Sequence, residues 1–205
     1  MKLYYAPGAC SIGIHVLLEE LGKPYDKQIV NLREGEQHKP SYTGVTPKSK
    51  VPALQRDDGS VVTEFPIIAL WLARQNPQAG LLPSDDETNL RALEAMEYVV
   101  GTMHGQGFAR LFRPTAFASE AEQEQVKARG TEIVEKGFQV VDKALAGKQY
   151  LGGNTLSIAD AALFYVEFWA AKRLGMKLPA NCAAHFDRML ARPAVQRVMK
   201  DEGFA

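Results

Sequence analysis

Cys10 follows Pro7-Gly8 and immediately precedes a stretch with helical apolar spacing, which puts it at a candidate helix start. Unpaired N–H groups and the positive dipole end at such a position favour a thiolate and lower a cysteine pKa from about 8.5. A thiolate there is a ready nucleophile. Cys182 has no such context and reads as a small buried hydrophobe. Tyr5, near the end of the first strand, is a candidate hydroxyl donor, although strand tyrosines commonly pack in cores. Val51-Pro52 opens a later strand, where the missing proline N–H costs nothing. Glu64, just before a helix, complements the helix dipole. His104 shares a long helical face with Leu90, Leu93, Glu97 and Val100, whereas His15, His38 and His185 have no comparable context. The Ser157-x-x-Asp160 spacing is a helix cap worth about 1 kcal/mol, a folding device rather than a catalytic pair.

The elements that must position these residues fall into two kinds. Lys2–Tyr5 is a short strand closed by Pro7-Gly8. Ile14, Leu17, Leu18 and Leu21 then recur at helical spacing, with Ser11 as a cap and Gly22 and Pro24 as the stop. A second strand runs around Tyr25–Leu32. The Val51–Leu54 and Val61–Thr63 segments flank Asp57-Asp58-Gly59, a hairpin signal. Pro66 suits a first helical position, and Ile67, Leu70 and Trp71 supply an apolar face. Beyond the prolines and acids of residues 76–87, the pattern is almost wholly helical. Ser119 to Glu122 is a capping signal before a helix carrying Val126, Ile133, Val134, Val140 and Val141. The helix after Ser157 is apolar nearly all round, which predicts a central buried helix.

Composition narrows the classes. The chain has 205 residues, 46% of them hydrophobic, enough for ordinary buried cores. Lys+Arg and Asp+Glu both number 24, which argues against a nucleic-acid or polyanion binder. Two distant cysteines offer neither a disulfide framework nor metal-ligand spacing, so a reducing, cytoplasmic setting without metal is expected. The opening KLYYAPGAC is too short and polar for a signal peptide, and no apolar run approaches the ~20 residues of a membrane span.

Five ordered segments carry a resemblance over essentially the whole chain: PGACS, VPAL before the DDG hairpin, TEFPIIALWLA, GGNTLSIADAAL and ARPAVQ. Together they resemble the cytosolic glutathione transferases, and Cys10 with MHGQGFARLFRP is similar to their bacterial beta class. The resemblance implies an α/β thioredoxin-like domain over residues 1–77, a linker at 78–87 and an all-α domain over 88–205. It implies glutathione as cosubstrate, a small hydrophobic second substrate and a homodimer; the charge balance and the lack of a long apolar run leave neither nucleic acid nor membrane as an expected partner.

The same resemblance distributes roles. Val51, before a cis Pro52, pairs its backbone with the cysteinyl part of glutathione, a case of strand addition. Glu64 holds the ligand ammonium, and the N–H at Phe65 holds its α-carboxylate. The family often has a serine where Phe65 stands. Loss of that hydroxyl contact costs about 1–2 kcal/mol, roughly tenfold in affinity. Lys50, ahead of Lys48 and Arg33, is the cation expected for the glycine carboxylate. His104 lies near the glutathione sulfur, and Thr102 and Met103 line the same wall. Cys10 either donates an S–H bond to the glutathione thiolate or forms a mixed disulfide with it. Two sulfurs in contact share one proton at neutral pH. The alternatives are a glutathione-dependent thiol transferase using Cys10 covalently, and a non-catalytic interaction protein of the same fold. The latter has no need of Cys10, Val51-Pro52 and Glu64, all of which are present.

Overall fold

The computed structural model describes residues 1–204. In chain order its first elements are β1 (Lys2–Tyr5), α1 (Ser11–Leu21), β2 (Asp26–Ile29), α2 (Pro40–Thr43), β3 (Ala53–Gln55), β4 (Val61–Thr63) and α3 (Phe65–Gln75). Then come α4 (Asp86–Glu97), a π-helical stretch Tyr98–Phe108, α5 (Ala109–Phe112) and α6 (Gln123–Leu145). The last are α7 (Ile158–Phe168), α8 (Ala180–Leu190) and α9 (Pro193–Asp201). Two compact units result: Met1–Leu82 together with the segment from Arg188 onward, and Pro83–Asp187. The final helix therefore groups with the sheet, where the sequence places it in a helical domain of residues 88–205.

In the first unit the strands form one sheet in the order β2-β1-β3-β4. β1 and β2 run parallel, joined through α1, while β3 pairs antiparallel with both β1 and β4. Leu3 pairs with Leu54, both wholly buried. Tyr4 pairs with Ala53, and on that opposite face they pack with Val30 and Tyr42. The DDG hairpin forms as expected, with Arg56 N–H bonded to Ser60 O at 2.8 Å and Gly59 at φ 82°. α1 stops at Gly22, which takes φ 62°.

Two helix readings change. α1 is buried from Ser11 to Leu18 rather than along one face, because α9 covers its other side. Arg192 reaches Glu20 at 2.6 Å, Arg197 reaches Glu19 at 2.6 Å, and His15 reaches Glu202 at 2.8 Å. Ser11 does not cap α1 either. Cys10 occupies that position, and the Ser11 hydroxyl bonds the Ala6 backbone N–H and C=O. On α3 the core face is Phe65, Ile68, Ala69, Leu72 and Ala73, and Ile67 stays 54% exposed.

In the helical unit, α7 is buried along its whole length, as its apolar circumference predicts. Asp160 accepts from Ser157 N–H at 2.7 Å and from Leu151 N–H at 2.7 Å, so the expected cap is formed. Ser119 instead donates its hydroxyl to Glu122, ahead of α6. The buried stripe of α4 and its π-helical continuation is Ala92, Met96, Val99 and Met103. Leu90, on the stripe read from the sequence, is 55% exposed. Close approach to α6 depends on Gly107 and Gly137: a Cβ on Gly107 would stand 2.7 Å from Val134 Cγ2, and one on Gly137 2.6 Å from Met103 Cγ.

Candidate functional site

The first unit brings Cys10, Lys50, Val51, Pro52, Glu64 and Phe65 together at the sheet end. Gly8 at φ 67° turns the chain, and Ala9 N–H closes the turn on Ala6 O, so Cys10 arrives at the start of α1. Its Sγ–H donates to Val51 O at 3.4 Å. Val51-Pro52 is cis, and among the described residues the Val51 N–H has no hydrogen-bond partner. Tyr42, which the sequence did not flag, donates its hydroxyl to Lys50 O at 2.7 Å and braces the backbone just before Val51.

The thiol differs from expectation. Burial pushes Cys10 up to about 12, outweighing the backbone N–H groups of Cys10 and Ser11 that draw it down. Glu64 adds to the rise, and Lys50 opposes it. A helix start lowers a thiol pKa only where its donors outweigh lost hydration. Here the resting group is an S–H that already has an acceptor.

Glu64 sits at φ 69°, a left-handed conformation uncommon for a residue with a Cβ, which concentrates at ligand clamps. Its carboxylate is exposed and accepts from Lys48 Nζ at 2.8 Å, and the same ammonium bonds Thr63 Oγ1 at 2.9 Å. Lys48 is thus committed to Glu64, while the exposed Lys50 side chain acts electrostatically on Cys10. Phe65 is 4% exposed, its ring part of the core, so only its backbone faces this end. Tyr5 is not brought to Cys10. Its ring lies 5.2 Å from that of His15, and burial, then Glu202 and Asp201, raise its phenol pKa.

In the helical unit His104 is half-buried. Its Nδ1 lies 3.2 Å from the Tyr165 hydroxyl and its ring stands edge-on to Trp169 at 4.9 Å. Thr102 is half-buried on the same π-helical stretch, a geometry frequent at functional sites. Met103, expected to line the same wall, is wholly buried against Gly137. Cys182 is fully buried, as its lack of context predicted.

Two family models match the chain. The glutathione S-transferase N-terminal domain covers residues 8–75 and the glutathione S-transferase C-terminal domain residues 124–201. The chain is 37% identical to glutathione S-transferase GstA of Escherichia coli O157:H7, over 99% of both chains. It is similar to the bacterial beta class glutathione S-transferase of Sphingomonas chungbukensis, at 33% identity and TM-score 0.85 over 100% of each chain. It is also similar to a Sulfitobacter glutathione transferase homologue solved with bound glutathione, at 30% identity and TM-score 0.91, covering 100% and 98% of the two chains. With two family models spanning most of its length and relatives matched end to end, the chain belongs to the glutathione S-transferases, in their bacterial, beta-class form.

Proposed function

We propose that this transferase binds reduced glutathione along Val51 and uses the Cys10 thiol to hold the ligand's sulfur as a thiolate for attack on a small hydrophobic electrophile or peroxide. The observation that carries this reading is the 3.4 Å bond from Cys10 Sγ to Val51 O, which sets a protonated sulfur beside the open Val51 N–H just ahead of β3. An extended peptide ligand pairing with that backbone presents its cysteinyl sulfur to Cys10, and the S–H turns from the carbonyl to the incoming thiolate. Because the thiol holds its proton up to about 12, donation is favoured over a standing Cys10 thiolate. One proton then serves both sulfurs.

The remaining contacts follow from charge. The ligand's α-ammonium takes the place of Lys48 at Glu64. Its α-carboxylate meets the N–H groups at the start of α3, beginning at Phe65. Lys50 serves the glycine carboxylate. The matched regions at 8–75 and 124–201 support assigning glutathione to residues 1–77 and the second substrate to residues 88–205, across a linker at 78–87. His104 and Thr102 are the polar groups offered to that substrate, and Met103 supports them by packing. A homodimer is supported by the apolar side chains left exposed at Ile67 and Leu90. Among the described residues no helix is long and apolar enough to cross a membrane.

Calorimetric titration with glutathione, followed by conjugation assays on Cys10→Ser and Cys10→Ala, tests the reading. Saturable binding is expected, with Cys10→Ser retaining more activity than Cys10→Ala because a hydroxyl can still donate. Absence of binding at millimolar ligand would overturn the proposal. A second reading, thiol transfer through a mixed disulfide, is favoured by the two N–H groups and Lys50 that draw the thiol pKa down. Loss of thiol transfer in both variants beside retained conjugation in Cys10→Ser would establish it.

A further inference from the structure

We propose that His15, Glu19 and Asp201 form a site for one divalent transition-metal ion, Zn2+ by ligand type, with Glu202 orienting the histidine. His15 and Glu19 lie one turn apart on α1, and Asp201 ends α9, so the packing of α9 on α1 collects the three. One donor atom from each lies within 4.8 Å of the other two. His15 is wholly buried, and its Nδ1 is 2.8 Å from the Glu202 carboxylate. With the ring proton on Nδ1 donated in a hydrogen bond to Glu202, Nε2 keeps its lone pair. Among the described residues that buried nitrogen has no hydrogen-bond partner, and the Asp201 carboxylate is 3.9 Å away. A carboxylate on one ring nitrogen and an open lone pair on the other is the usual arrangement around a metal-bound histidine.

The donor set is one imidazole and two carboxylates, which suits Zn2+ with water filling its other positions. Ligand distances of about 2.0–2.2 Å require the three donor atoms to draw closer. Glu19 and Asp201 are long or exposed enough to do so by rotation. Both carboxylates now hold cations: Glu19 accepts from Arg197 at 2.6 Å and from the Tyr25 hydroxyl at 2.8 Å, and Asp201 pairs with Lys27. The metal must displace Arg197 and Lys27, so binding is moderate rather than tight. The second Glu202 oxygen accepts Gly8 N–H at 2.8 Å, so an ion here would also steady the turn that delivers Cys10.

The test uses chelator-treated full-length protein. Calorimetry with Zn2+, a Co2+ absorption spectrum and the melting temperature with and without Zn2+ are compared for wild type, Asp201→Asn, Glu19→Gln and the double variant. The substituted groups lie towards the surface, so folding is preserved where His15→Gln could fail. The expected result is one Zn2+ per chain, affinity at least tenfold lower in each single variant, and loss of both binding and thermal shift in the double variant. No saturable uptake by the wild type would overturn the proposal. Uptake unchanged in the double variant would do the same, as would a Co2+ spectrum with sulfur-to-metal charge transfer, which assigns the metal to a cysteine. Equal uptake of Mg2+ would show carboxylates acting without the imidazole and would overturn the role of His15.

Discussion

Cys10 keeps its proton because the groups that could hold a thiolate, two backbone N–H groups and the Lys50 charge, are outweighed by lost hydration. Its position at a helix start was legible from Pro7-Gly8 and the apolar spacing that follows. Its protonation was not, because burial is decided by the tertiary fold and the Glu64 charge that adds to the rise is remote in sequence. The same holds for Glu64 and Lys48. Glu64 was readable as an acid before a helix, but its pairing with Lys48 was not. An exposed pair of this kind is worth about 0–1 kcal/mol. Lys48→Ala is therefore expected to tighten glutathione binding, by no more than about fivefold, while Glu64→Gln weakens it about tenfold or more. Calorimetry on both variants checks this, and weaker binding by Lys48→Ala would make Lys48 itself a ligand-holding cation. Phe65 shows the opposite error. Judged by side-chain chemistry, Phe65→Ser restores a missing hydroxyl. With the ring only 4% exposed, it also empties part of the core. The expected outcome is a loss of about 3–5 kcal/mol, seen as a lower urea midpoint, which masks any gain in affinity.

At the scale of elements, strands, turns and caps were readable wherever a local residue decides them: Gly22, Gly59, Pro66 and Asp160 act within a few positions of themselves. Helix faces were less so. α3 is apolar on two sides, and periodicity selected Ile67, Leu70 and Trp71, whereas the core takes Ile68, Leu72 and Ala73. In α4 it selected the stripe through Leu90 over that through Met96. Spacing alone cannot say which of two apolar stripes meets the core. His185, without a sequence context, also proved structural. On α8, it lies 2.8 Å from Glu167 and 3.2 Å from Asp160 on α7, all three wholly buried. Burial alone would lower its pKa, but Glu167 and Asp160 together raise it to about 9 from 6.5. A raised histidine pKa gives stability that is complete below 6.5 and is lost as pH climbs through about 9. Denaturant unfolding across that window is expected to show the wild type losing stability as pH rises. His185→Gln should be less stable at low pH and should show a smaller fall over the same range. A wild-type profile without that fall would remove the charged histidine.

For the whole molecule, the second apolar stripes have a consequence. Ile67 at 54% exposure and Leu90 at 55% are the exposed apolar side chains on which the proposed dimer rests. Equilibrium sedimentation is expected to give twice the mass of the chain. Ile67→Glu with Leu90→Glu should give folded monomers, since neither side chain belongs to a core. A wild-type monomer would contradict the dimer. The two-unit division itself was visible as the change of pattern at residues 76–87. The return of α9 to the first unit was not, because Arg192, Arg197 and Glu202 meet α1 across nearly the full length of the chain.

The central claim is that Cys10 stays protonated and lends its hydrogen to a glutathione thiolate. Ultraviolet thiolate absorbance, followed against pH in the free protein and at saturating glutathione, tests it most directly. The free protein is predicted to show no Cys10 thiolate below about pH 10, two units under its pKa. The complex should show one ligand thiolate at neutral pH, diminished in Cys10→Ala. A thiolate titrating near neutrality in the free protein and absent from Cys10→Ala would contradict the claim.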